Sequence, residues 1–293
     1  MVRVKSKRIG NNTYHYLEHT IRVGGKMIKK EVYLGRKIPE NVEELKEKLL
    51  AEVYNYKWHQ IDRIKDNYSK EKDLMPPSSR KKEVETFAVN FTYHTQKIEG
   101  STLSLRETAD LLERGLTPKD RPIGDVREAE AHRKLFYEIL AYKKDLSLNV
   151  VLEWHKKLFQ ETKPDIAGRI RKTRVGISGS KFVPPLPVEV YPILQDFFKW
   201  YERSKNKIHA VELAALVHLK FITIHPLADG NGRISRLMMN FVLNKKGYPL
   251  MNIPYEGRNS YYNALEKAQT SKNDHVFIRW LIRNYMKSYK SYL

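Results

Sequence analysis

Twelve consecutive residues, His225-Pro-Leu-Ala-Asp-Gly-Asn-Gly-Arg-Ile-Ser-Arg236, gather a proton acceptor, a carboxylate, two glycines and two arginines. Pro226 disfavours the helical conformation at His225, so a helix arriving from Ala210–Ile224 should stop there. A second apolar, helix-forming run follows at Ile234–Leu243. The stretch therefore reads as helix, tight loop, helix. The first amides of a helix have no internal partner and coincide with the positive end of its dipole. Gly230-Asn231-Gly232 at that end would let an anion reach the backbone closely. Arg233 adds a planar donor fork suited to phosphate oxygens, and Arg236 lies one turn further along the same face. Together they could hold phosphates along the chain of a nucleoside triphosphate. Asp229 is a hard oxygen ligand suited to magnesium between phosphates. His225 can take a proton near neutral pH, as a base for an incoming hydroxyl requires.

Each part alone has a plainer reading. Asp-Gly and Gly-Asn-Gly are turn sequences, a histidine at a helix end is an ordinary hydrogen-bonding residue, and two arginines at this spacing commonly form a solvated face. None of these readings requires all the residue types in this order.

The twelve residues closely resemble the signature of the Fic family, His-Pro-Phe-x-Asp/Glu-Gly-Asn-Gly-Arg-x-x-Arg, with Leu227 where Phe is usual. The resemblance extends from about Val84 to about Ile282. It implies transfer of AMP from ATP to a Ser, Thr or Tyr hydroxyl of a target protein, with ATP as substrate and Mg2+ as cofactor. By the same resemblance His225 would be the base and Asp229 the metal ligand. Gly230, Asn231 and Gly232 would bind the α- and β-phosphates, Arg233 the phosphates and Arg236 the terminal phosphate. Members that transfer phosphate instead carry Lys at the position of Gly232. The glycine here favours AMP and leaves another nucleotide, such as UTP, open.

Upstream, Thr95-Gln-Lys-Ile-Glu99-Gly100 is similar to the family's inhibitory motif, Ser/Thr-x-x-x-Glu-Gly/Asn. Thr95 and Glu99 share a helix face, and Gly100 would end that helix. In the family this Glu pairs with the second motif arginine, here Arg236, and denies it to the terminal phosphate. The chain thus resembles the self-inhibited, N-terminal class, in some of whose members the same Glu helps remove AMP by orienting a water. Within Gly168–Pro187, Thr173–Ile177 and Lys181–Val183 are β-prone around Ser178-Gly179-Ser180, a hairpin signal. It resembles the family's flap, which holds a target segment by strand addition; an ordinary surface hairpin is the other reading. Asn259 and Tyr262, in Asn259-Ser-Tyr-Tyr-Asn263, match a stretch near the nucleotide base; a helix cap and a core tyrosine are the alternative.

The elements that must position these groups are mostly helical. Apolar periodicity predicts a long helix from Val42 to about Asp73, marked by Leu45, Leu49, Val53, Tyr56, Ile61 and Ile64. Met75-Pro-Pro-Ser-Ser breaks it. A helix over about 79–98 carries the inhibitory motif, and Ser104-Leu-Arg-Glu107 is a capping box opening a short one. Further helices are expected at 125–142, 149–161, 188–203, 210–224, 233–245, 260–268 and 275–289. Trp154, His155 and Leu158 read as core contacts. His218 resembles a structural family histidine rather than a metal ligand.

The first forty residues differ, with ten Lys or Arg against three Glu. Tyr14–Val23 and Lys26–Leu34 flank Gly24-Gly25, a two-residue hairpin turn. A basic hairpin carrying Tyr14, Tyr16 and Tyr33 could bind nucleic acid or simply cap the enzyme. The whole chain has 293 residues, a formal charge of +20 and no cysteine, which excludes disulfides and thiol catalysis. It contains no apolar run long enough for a membrane span and no signal core after Met1, so a cytoplasmic protein is expected. The expected fold class is mainly α: a Fic-type helical domain with a β-hairpin flap (79–293, inhibitory helix at about 79–100), a helical linker (41–78) and a small N-terminal β-hairpin module (1–40). The function expected from the resemblance is a self-inhibited protein adenylyltransferase. Glu99-assisted AMP removal, or a nucleic-acid-binding regulator with a nucleotide-sensing core, are the alternatives. The target protein is unspecified, a homodimer is left open and no membrane partner is expected.

Overall fold

The computed structural model describes residues 2–23 and 26–293. The Gly24-Gly25 turn and the side chains of Val53 and Tyr56 lie outside the described residues. Two compact units form, Met1–Asp66 with Leu293, and Asn67–Tyr292.

The first unit holds a three-stranded antiparallel sheet in the order β1 (Arg3–Ile9), β2 (Asn12–Val23), β3 (Lys26–Gly35). The expected hairpin is β2–β3; β1 is an addition. It pairs Ile9 with Asn12, closing on a Gly10-Asn11 turn in which Gly10 has φ +61°. That dipeptide is a hairpin turn signal in its own right. Strand alternation sends Leu17, Val4, Val32 and Leu34 to one face, where they meet Leu45 and Leu49 on α1 (Val42–Leu74). Tyr14, Tyr16 and Tyr33 cluster on the other face, with ring centroids 5.3 and 6.3 Å apart about Tyr33.

The second unit is built on an antiparallel helix pair, α7 (Ala210–Ile224) and α8 (Asn231–Lys245). Both are buried along most of their length; α7 is apolar nearly all round, as a helix in the middle of a bundle can be, whereas α8 also buries Asn231, Arg233, Arg236 and Asn240. Around α8 pack α2 (Pro77–Ile98), α4 (Ile123–Ala141) and α5 (Leu148–Phe159). Helix α6 (Pro187–Ser204) packs on α7, as does α10 (His275–Ser288), which also carries α9 (Arg258–Thr270). The predicted helices are all found, with ends displaced by one or two residues. The displacement at α8 matters, because the helix begins at Asn231, inside the glycine loop. The short α3 (Leu105–Arg114) opens on the expected capping box: Ser104 Oγ accepts from the Glu107 N–H, and Glu107 accepts from the Ser104 N–H. No helix among the described residues is long and apolar enough to cross a membrane.

The β-hairpin flap is corrected by the structure. Residues 173–183 form a turn-linked loop, not two paired strands. The turn itself is present, with the Ser180 N–H on the Ile177 carbonyl at 3.1 Å. The return limb runs into Pro184, Pro185 and Pro187, which lack the N–H groups a ladder needs. The limbs are joined instead by one side chain: Arg171 donates to the Thr173 carbonyl on the outgoing limb (2.9 Å) and to the Pro185 carbonyl on the return (2.6 Å). At the tip the Lys181 N–H is held by Glu266 Oε2 at 2.9 Å.

Candidate active site

The loop between α7 and α8 is fixed from inside. Asn231 accepts from the Leu227 N–H (2.9 Å) and donates to the Leu227 carbonyl (2.8 Å). Its side chain is thereby committed to the loop, and only its backbone amide remains for an anion. Leu227, in the usual place of Phe, is fully buried and keeps the apolar anchor. His155 on α5 clamps the loop from outside. Its Nδ1 accepts from the Gly168 N–H at 3.0 Å, so Nε2 carries the proton and donates to the Asp229 carbonyl at 3.1 Å. Burial holds His155 at about 4, neutral throughout the physiological range.

The two glycines serve different ends. Gly230 has φ +81°, and a side chain there would also run into the Phe159 ring. Gly232 is helical, and a Cβ there would collide with the Glu99 carboxylate. The first glycine gives the loop its shape; the second gives room for a group from α2.

His225 caps α7 in a left-handed conformation, φ +51°, rare for a non-glycine residue and a common mark of a functional position. Its Nδ1 lies 3.2 Å from the Ile222 carbonyl, which can only accept. Nδ1 is therefore the protonated nitrogen, and the Nε2 lone pair is left to act as a base. Burial lowers the imidazole from its ordinary value, so it is neutral at pH 7. Arg171 holds the His225 carbonyl at 2.7 Å and its N–H reaches the Pro226 carbonyl at 2.9 Å.

Both motif arginines are buried and already paired. Arg233 donates to Glu128 on α4, to Asp229 Oδ1 (2.9 Å) and to Gln96 Oε1 (3.2 Å), and it lies over the Phe159 ring. Lys163 bridges Asp229 Oδ2 (2.6 Å) and Glu128 Oε1 (3.1 Å). Burial raises the Asp229 carboxyl, but Arg233, Lys163 and the Gly230 N–H outweigh it and hold the group at about 2. Arg236, 1% exposed, donates to Glu99 Oε1 at 2.5 Å, to the Thr95 carbonyl at 3.2 Å and toward the Tyr261 hydroxyl at 3.4 Å. Thr95 thus contributes its backbone oxygen to this arginine. Gly100 follows Glu99 with φ +99°, ending α2 as predicted.

His225, Gly232, Arg236, Glu99, Gly100, Tyr262 and the Gly176–Ser180 loop line one cleft of about 600 Å³. Asp229, Gly230, Asn231 and Arg233 are not among its lining residues. Tyr262 lines the cleft and donates to the Ile98 carbonyl at 3.0 Å. Asn259 is exposed on the first turn of α9 and does not line it, whereas Asn263, one turn on, does. Sequence reasoning passed over Gln96, Glu128, Lys163, Arg171 and Tyr261, and took His155 only as a core contact. They come from α2, α4, α5, α9 and the α5–α6 connection, and a single charged or polar residue on a separate element gives no local signal of its partner.

Comparison with known proteins agrees with this geometry. The Fic/DOC family matches residues 145–243. Protein adenylyltransferase fic-1 of Caenorhabditis elegans is 34% identical over 209 residues, 69% of this chain and 41% of the relative. Protein adenylyltransferase Fic of Drosophila grimshawi is 36% identical over 180 residues, 60% of this chain and 37% of the relative. The chain therefore spans about two fifths of the length of these curated relatives. A crystal structure of a Fic domain containing signaling protein from Bacteroides thetaiotaomicron superposes with a TM-score of 0.70 at 29% identity, covering 78% of this chain and 95% of that one. Residues 145–243 of this chain are a Fic/DOC family domain.

Proposed function

We propose that this protein is a self-inhibited protein adenylyltransferase, moving AMP from ATP to a hydroxyl of a target protein. One observation carries the reading: the base at His225 and the arginine at Arg236 face the same cleft, and Glu99 occupies that arginine. The neutral His225 Nε2 takes the proton of the target Ser, Thr or Tyr hydroxyl as its oxygen bonds to the α-phosphorus and pyrophosphate leaves. The free amides at the start of α8 receive negative charge on the phosphates. Arg236, once released, holds the terminal phosphate and so sets which phosphorus faces the histidine.

Asp229 fits a magnesium site. It is a carboxylate kept ionised, at the phosphate end of the loop, and magnesium commonly needs only one or two carboxylates beside its waters and the phosphates. Bound there, magnesium supplies neutralisation of triphosphate charge. Among the described residues no cluster of three or more metal-binding side chains occurs.

The test is incubation with ATP labelled at the α-phosphate, with Mg2+ and candidate target proteins. Glu99→Gly should label target or itself, and the double variant with His225→Ala should bind ATP without labelling. Labelling by the histidine-free double variant at an undiminished rate would remove His225 as the base.

Glu99 lines the cleft as well as pairing with Arg236, and this favours a second reading, AMP removal by a Glu99-oriented water. Release of AMP from a pre-modified target by wild type but not by Glu99→Gly would support it. The N-terminal sheet favours a nucleic-acid contact through Tyr14, Tyr16 and Tyr33, with Lys7 and Arg36 over two of the rings. Against it, Arg3, Lys5, Lys7 and Lys29 are already paired with Glu18 and Glu31. A salt-dependent mobility shift that survives Tyr14→Ala with Tyr33→Ala would dismiss that contact.

A further inference from the structure

Four charged side chains close a ring at the head of α8. Asp229 touches Arg233 and Lys163, and Glu128 touches the same two cations from the other side. The ring has a closed half and an open half: the Arg233 and Glu128 side chains are 4% and 11% exposed, the Lys163 and Asp229 side chains 40% and 36%. Lys163 and Asp229 form the open edge. Asp229 Oδ1 is taken by Arg233 and by the Gly230 N–H. Oδ2, the oxygen left for a metal ion, is the one that Lys163 holds at 2.6 Å.

We propose that Lys163 is a built-in cation that occupies the metal position of Asp229 and must be displaced before a divalent ion can bind. This rests on Asp229 being the metal ligand in the function proposed above. An ammonium group is a compact, strongly hydrated point charge with three donors. It satisfies a carboxylate much as a small hard cation does, and a second cation at the same oxygen would stand in direct like-charge contact with it. The lysine is also mounted to move. Its backbone is pinned in the turn after α5, with its N–H on the Phe159 carbonyl at 2.8 Å and its carbonyl accepting from Ile166 and Ala167. Its ammonium also lies over the Phe159 ring, 5.0 Å from the centroid, and the ion pairs to Asp229 and Glu128 are made by that same end. It can swing outward without disturbing the loop, while Arg233 and Glu128 stay in place behind it. In the metal-free protein Lys163 bridges Asp229 to Glu128. A divalent ion meets a resident positive charge there, so binding is weak until a nucleotide adds its own negative charge.

The measurement is Mn2+ binding to the nucleotide-free full chain, followed by the electron paramagnetic resonance signal of free Mn2+. Lys163→Met keeps an unbranched stem of similar length and removes the charge. It should bind Mn2+ on the order of tenfold more tightly than wild type, the scale expected for removing a like charge in direct contact. Lys163→Arg should bind no more tightly than wild type. In thermal unfolding, Lys163→Met should lose stability without metal and regain it with Mn2+. If Lys163→Met lowers stability and leaves Mn2+ affinity at the wild-type value, Lys163 is an ordinary ion-pair partner and the proposal is overturned, with the assignment of Asp229 untouched. If Lys163→Met binds tightly and adding Asp229→Asn does not weaken it, the metal assignment of Asp229 fails, and the role of Lys163 fails with it.

Discussion

His225 combines a left-handed backbone, a fixed tautomer and a buried ring, and its pH behaviour follows. Burial disfavours the imidazolium, so the folded pKa lies below 6.5. Only the neutral ring accepts a proton, and it is fully present above that lowered value. The acid limb of kcat/KM, measured in a Glu99→Gly background, should therefore fall below pH 6.5; a limb at or above 7 would contradict the burial argument. Gly230 makes a second residue-scale case. Its φ of +81° costs a side chain about 1 kcal/mol, and pressing a Cβ into the Phe159 ring adds roughly 1–3 kcal/mol of overpacking. Gly230→Ala should thus lose about 2–4 kcal/mol of stability by urea unfolding. The types and order of these residues were legible in the sequence because twelve neighbours carry them. The division of labour between the glycines was not, because it depends on Phe159 and Glu99, which come from elsewhere in the chain.

Helix α2 acts on the site as one body. Its last turn presents the Thr95 carbonyl and the Glu99 carboxylate to Arg236, while Gln96 accepts from Arg233 and donates to the Glu128 carbonyl at 2.8 Å. Glu99 alone was readable as a contact, since the inhibitory motif names it; Gln96 sits inside the same motif at a position where the pattern allows any residue. Similarly, the flap's turn was readable from Ser178-Gly179-Ser180, but its missing strands required weighing the prolines of the return limb and finding Arg171 as the brace. The pair of Glu99 with a buried guanidinium must be broken before Arg236 can meet a phosphate, and truncating one partner of such a pair commonly shifts an equilibrium by more than tenfold. Glu99→Gly should raise AMP incorporation by roughly tenfold or more. Arg236→Ala should not, since it deletes the phosphate contact with the inhibitory one, and adding it to Glu99→Gly should cancel the gain. Equal incorporation by wild type and Glu99→Gly, with ATP binding intact, would leave Glu99 as a structural helix end.

At the scale of the whole molecule, the many paired and buried titratable groups set one stability profile. Helix count and order were legible from apolar periodicity; the burial of individual polar groups was not, because periodicity shows which face is covered and not what covers it. Burial holds His132 at about 3, His155 at about 4 and His218 well below 6.5. For a group whose folded pKa is depressed, stability is present above the unfolded pKa and is lost as pH falls through the folded one. These histidines, with His225, therefore begin to weaken the fold at about pH 6.5, before any carboxylate does. Glu18, held by Lys29 and Arg3, and Glu107, held by Arg121, sit at about 2. With Asp229 they add their loss only from the ordinary carboxylate range downward. At the alkaline end the signs reverse. Burial raises Tyr201, Tyr261 and Tyr289, and Tyr292 to about 12. Their partners raise Lys29 and Lys205. A group with a raised folded pKa contributes fully below its unfolded value and loses that contribution above it, so the decline starts near pH 10. The thermal midpoint should be level from about pH 7 to about 10 and should fall on both sides, the acid side first at histidine pH. Holding the midpoint constant from pH 7 down to 4.5 would falsify the histidine contribution. His132→Gln, which cannot titrate, should shallow the slope between 6.5 and 4.5 even where its own packing loss lowers the plateau.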